Sequence, residues 1–69
     1  MQLHILKTNI KSSEDVLKIR TLMLGLNIKQ WTVDEEDVDK VLRVESPLDA
    51  DEIIESVKNT GIQCEELQD

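Results

Sequence analysis

Apolar residues along this chain change their spacing repeatedly, and the order of those changes is the tightest constraint on its fold. Residues 3–10 are short and rich in β-formers, which predicts a strand. Lys11-Ser12-Ser13 then supplies helix-capping chemistry, with Ser12 as N-cap and Asp15 in the first turn. Val16, Ile19, Leu22, Met23 and Leu26 recur at helical spacing, so a helix is expected over residues 13–26, ended by Gly25 and Asn27. Residues 28–33 return to a two-residue period, which puts Trp31 and Val33 on one face. Asp34-Glu35-Glu36-Asp37 is too charged to pack and predicts a hairpin loop. A third strand follows over residues 41–45, with Leu42 and Val44 alternating against Val41, Arg43 and Glu45.

The second helix carries the clearest local signals. Asp49 fits the N-cap and Glu52 the third helical position, a capping-box spacing. Leu48 and Ile53 fit a hydrophobic staple, Ile53, Ile54 and Val57 form the inward side, and Gly61 suits the C′ position. Residues 62–67 complete the pattern as a fourth strand. The order β-α-β-β-α-β predicts an α+β fold of the ferredoxin-like kind: a four-stranded antiparallel sheet with two helices on one face.

Sixty-nine residues make one domain, here taken as residues 1–69. A chain this short has little interior in which to enclose a deep catalytic pocket. Eight basic residues against fifteen acidic ones give a net charge of −7. That balance argues against nucleic acid and against an anionic membrane surface, and it suits a basic protein partner or a cation. The single cysteine rules out an internal disulfide. With no signal-like start and no long apolar run, a cytoplasmic, soluble protein is expected. The one cysteine and one histidine fall in separate strands and two glycines cannot build a phosphate loop, so no enzyme and no resident cofactor are expected.

The segment Thr8-Asn9-Ile10-Lys11-Ser12-Ser13-Glu14-Asp15-Val16 resembles the metal loop of the heavy-metal-associated domains, a family that includes copper chaperones and the N-terminal modules of copper-pumping ATPases. Trp31-Thr32-Val33-Asp34 resembles that family's second strand and turn, Asp39-Lys40-Val41-Leu42-Arg43-Val44 its third strand, and Ile53-Ile54-Glu55-Ser56-Val57-Lys58-Asn59-Thr60-Gly61 its second helix. The resemblance implies a Cys-x-x-Cys pair where the first strand meets the first helix. Ser12 and Asp15 stand at those two positions.

Monovalent copper prefers thiolate or thioether ligands. Ser12, Glu14 and Asp15 offer hard oxygens suited to calcium, magnesium or manganese, ions that usually take six or more such ligands. A cap made by Ser12, with Glu14 and Asp15 opposing the helix dipole, accounts for all three without a metal. Cys64 is expected as a buried small apolar residue, His4 as a half-exposed sheet residue, and Trp31 as part of the core. The acidic hairpin through Asp39 lacks the central glycine and terminal glutamate of a calcium loop. Two functional readings follow. One is an interaction module that has lost soft-metal transport and docks a basic protein. The other is a metal carrier using Ser12, Glu14 and Asp15, with Cys64 or a second chain. A small-ligand sensor assembled as a homodimer across exposed sheet edges is a third arrangement that the fold permits.

Overall fold

The computed structural model describes residues 2–34, 36 and 40–67. Their elements follow the expected order: β1 (Gln2–Thr8), α1 (Ser13–Gly25), β2 (Gln30–Asp34), β3 (Val41–Ser46), α2 (Ala50–Lys58) and β4 (Cys64–Glu66). The strands form one antiparallel sheet in the order β2-β3-β1-β4, the ferredoxin-like arrangement.

Register explains which side chains meet. His4 faces Val44 and Leu6 faces Leu42 across β1 and β3, while Trp31 and Val33 face the same two β3 residues from β2. The resulting row of alternate residues is the inner face of the sheet. Ile19 and Met23 of α1, together with Ile53 and Val57 of α2, join Leu6, Leu42 and Val44 in one buried cluster, which places both helices on that face. Trp31 is half-buried against the cluster from the edge strand β2. Val41, expected to point away, is buried as well.

Several boundaries differ from the sequence expectation for physical reasons. β1 ends at Thr8, not residue 10, because Asn9 and Ile10 turn out of the sheet toward α1. β4 pairs over only three residues, with Ile62 buried ahead of it but outside the ladder. Asp34 is the last residue of β2, opposite Val41, and not part of a loop; its carboxylate accepts the Glu36 N–H at 3.2 Å and lies 3.9 Å from Arg43. Glu35, Asp37 and Asp39 of the expected hairpin lie outside the described residues. Asp49 does occupy the N-cap of α2, but its side chain makes no capping hydrogen bond. The expected capping box is therefore absent, although Leu48 packs against the core beside the buried Ile53.

The two helices stop differently. After α1, Asn27 takes φ 59°. Its N–H donates to Leu24 O at 3.1 Å and the Ile28 N–H donates to Met23 O at 2.8 Å, the paired bonds of a Schellman motif. Ile28 and Met23 meet in the core, which completes the motif's apolar contact. After α2 the chain tightens through Thr60 N–H to Val57 O at 3.0 Å and Gly61 N–H to Lys58 O at 2.9 Å. Gly61 then takes φ 95° two residues beyond the cap Asn59, one position later than expected.

Asn27→Ala should lower the unfolding free energy by about 1 kcal/mol, because a Cβ without a polar handle is strained at positive φ. Asn27→Gly should leave it unchanged or raise it. Thermal melts check both, since about 1 kcal/mol moves the midpoint of a domain this size by roughly 4–8 °C.

Candidate functional site

The junction between β1 and α1 is held by polar side chains on either side of one buried apolar residue. The Thr8 hydroxyl, buried at the end of β1, donates to the Lys40 carbonyl at 2.7 Å and accepts the Ile10 N–H at 3.4 Å. Asn9 Oδ1 accepts the Gln63 N–H at 2.9 Å, which ties the junction to the start of β4. Ile10 itself is buried in the core. The loop is thus pinned to β3 and β4 before it reaches the positions of interest.

Ser12 has extended backbone angles and is the N-cap of α1. Its Oγ accepts the Asp15 N–H at a long 3.4 Å, and Asp15 Oδ2 accepts the Lys11 N–H at 2.9 Å. The acid therefore reaches one residue further back than in the usual capping box, where it would bond the N-cap amide. Lys18 Nζ lies 4.0 Å from Asp15 Oδ1. Glu14 is exposed in the first turn, where its charge opposes the positive end of the helix. The side chains of Ser12 and Asp15 are thus both engaged in starting the helix.

Cys64 stands opposite Thr8 in the β1–β4 ladder. It belongs to the buried cluster, while Ser12 and Glu14 face solvent. Burial pushes its thiol from the ordinary 9.0 to about 11; nearby Lys58 pulls in the other direction, and Glu65 adds to the rise. A thiol held protonated at neutral pH is a poor nucleophile and a poor ligand. Among the described residues, no three His, Cys, Asp or Glu side chains gather into a metal-binding cluster.

His4 departs from its expected half-exposure. It is 6% exposed, and its ring Nε2–H donates to the Leu48 carbonyl at 2.8 Å, anchoring the segment that leads into α2. Ser46 Oγ accepts the Leu48 N–H at 3.1 Å and secures the same turn. These contacts lie at the end of β1 opposite Thr8, so His4 and the junction are separate places in the molecule. Thr8 and Asn9 are the positioning residues that the sequence did not reveal. Their partners at positions 40 and 63 are remote in sequence, and the only local signal is a Thr-Asn pair at the end of an apolar run.

The buried thiol leads to a pH dependence with a definite sign. Its folded value lies above the ordinary one, so the unfolded chain loses its thiol proton first as pH rises. Stability should be intact below pH 9, fall between about pH 9 and 11, and level off above, relative to a Cys64→Ala chain whose profile lacks that component. Denaturant titrations of the two chains across this range measure the difference. Among the described residues, no helix is long and apolar enough to cross a membrane.

No family model matches the chain, and no curated protein matches it. Among solved structures, it is similar to the yeast copper transporter domain CCC2A, whose solution structure was determined in apo and Cu(I)-loaded states. The TM-score is 0.78 at 23% sequence identity, over 100% of this chain and 99% of that one. The likeness is one of fold: this chain is a ferredoxin-like βαββαβ unit with the architecture of that copper transporter domain.

Proposed function

We propose that this chain is a divergent relative of the heavy-metal-associated domains that contacts a basic protein partner and does not carry soft metal ions. One observation supports the reading above the others. The side chains at the two cysteine positions of that family, Ser12 and Asp15, are oxygen donors that already accept backbone N–H groups at the start of α1, those of Asp15 and Lys11. A neutral hydroxyl and a hydrogen-bonded carboxylate offer a soft monovalent cation little to hold. Cys64, the remaining sulfur ligand besides thioethers, is buried with its proton held on. The net charge of −7 favours a partner of opposite sign, whose encounter rate falls as salt rises.

The competing reading is a carrier using Ser12, Glu14 and Asp15 with hard ions. Titration with monovalent copper, zinc and manganese under reducing conditions separates the two. The natural chain should show no one-to-one, submicromolar uptake of any of them. Tight binding that disappears in Asp15→Ala would establish the carrier and overturn the proposal. Conversely, Ser12→Cys combined with Asp15→Cys puts a thiolate pair at the junction, and this double variant should acquire monovalent copper binding. It should also lose about 1 kcal/mol of stability with the cap, which a thermal melt measures.

A further inference from the structure

Two leucines stand exposed on the outward side of α1, among Glu14, Lys18 and Arg20. Leu17 and Leu24 lie seven residues apart, close to one line along the helix, and are 57% and 75% exposed. Neither belongs to the stripe that packs on the sheet. A groove on the helix is lined by Leu17, Leu22, Gly25 and Leu26, with Thr60 contributed from beyond α2. Glu14 and Lys18 supply its charged groups.

Gly25 lines this groove, and neither local geometry nor packing calls for a glycine there. It is the last residue of α1, its φ is not in the left-handed region, and a Cβ added to it would meet nothing within 4 Å. Glycine in a helix destabilises it relative to alanine. The structural effect of the missing side chain is to keep the groove open.

Leu26 also borders a second depression, on the α2 side, which is walled by Asp51, Glu52 and Glu55 and reaches Leu48. The two depressions share Leu26, so the apolar lining of the first adjoins the acidic side chains of the second. That pairing selects among occupants. A second copy of this chain would bring another net charge of −7 against the first. A helix with an apolar stripe and a flanking row of lysines or arginines would satisfy both surfaces.

We propose that the groove along α1 and the adjoining acidic depression at α2 together receive a basic amphipathic helix of a partner protein, its apolar stripe on Leu17, Leu22 and Leu26 and its cations against Asp51, Glu52 and Glu55. The inference rests on the protein-binding reading above and specifies where the partner sits and what kind it is. It is an instance of helix-in-groove recognition, in which apolar anchors supply affinity and the charged flank sets orientation.

The test uses the full chain and a synthetic helical peptide of about five turns, with leucines at helical spacing on one side and lysines flanking them. A peptide of the same composition, scrambled to break the stripe, is the control. Binding is followed by fluorescence anisotropy of the labelled peptide and by amide shifts of the protein. The designed peptide should move amides of α1 and α2, and the scrambled one should bind at least about tenfold more weakly. Leu17→Lys with Leu24→Lys, and separately Gly25→Leu, should each weaken binding by about tenfold or more while leaving the chain folded. Gly25→Ala should raise the melting temperature and still reduce affinity, an opposition that a purely structural role would not produce. Asp51→Asn with Glu52→Gln and Glu55→Gln should weaken binding and flatten its salt dependence. Equal binding of the two peptides, or indifference to the groove variants, overturns the proposal. Binding that maps instead to the hairpin around Asp34 and Glu36 removes the groove but leaves the basic-partner reading standing. Failure of every basic peptide together with tight metal uptake removes both. A natural chain that sediments as a dimer, and as a monomer after Leu17→Lys, gives the groove to a second copy and overturns the proposal.

Discussion

The architecture turns on one buried hydroxyl. Thr8 closes β1, faces Cys64 in β4, donates to the backbone just ahead of β3 and receives the amide that leads toward α1. Donor and acceptor capacities of the side chain are both used, as a buried polar group requires. Replacing it with an apolar residue of similar shape would take this donor from the Lys40 carbonyl and this acceptor from the Ile10 N–H. The start of α1, and with it everything presented at the junction, inherits its position from this contact and from the Asn9 link to Gln63.

That rigidity shapes the chemistry available at the junction. A loop that binds a soft ion needs side chains able to turn toward it, with sulfur rather than oxygen at their ends. Here Ser12 and Asp15 point back into their own helix turn, and the nearby ammonium of Lys18 further offsets the carboxylate. At this junction the carboxylate of Asp15 and the hydroxyl of Ser12 are spent on the helix start, while Glu14 stands exposed beside them.

The order of elements was legible because period-two and period-3.6 patterns alternate cleanly along the chain; of the stripe Val16-Ile19-Leu22-Met23-Leu26, Ile19 and Met23 are buried against the sheet and the other three pack at the margin of the core. Ser12 as a cap was legible too, since it bonds the residue that local rules name. Long-range partners were not. His4 is buried because a carbonyl at Leu48, 44 residues away, receives its ring proton, and nothing around His4 in the sequence announces that. Asp49 shows the opposite failure: it satisfies the local rule, yet its carboxylate makes no cap bond. Leu17 carried no signal in the sequence, because the groove it lines is completed by Thr60, 43 residues away.

The strand order has a spectroscopic corollary. Trp31, the chain's single member of the Phe, Tyr and Trp group, sits on β2 at one margin of the sheet, and the lone thiol of Cys64 sits on β4 at the other. Two intrinsic reporters therefore bracket the whole hydrogen-bonded ladder. Indole emission senses separation of β2 from β3, while thiol accessibility senses the three-residue pairing of β4 with β1. Whether the sheet comes apart as one cooperative unit or peels from its shorter flank can thus be read from the unmodified molecule, by asking if the two signals move together.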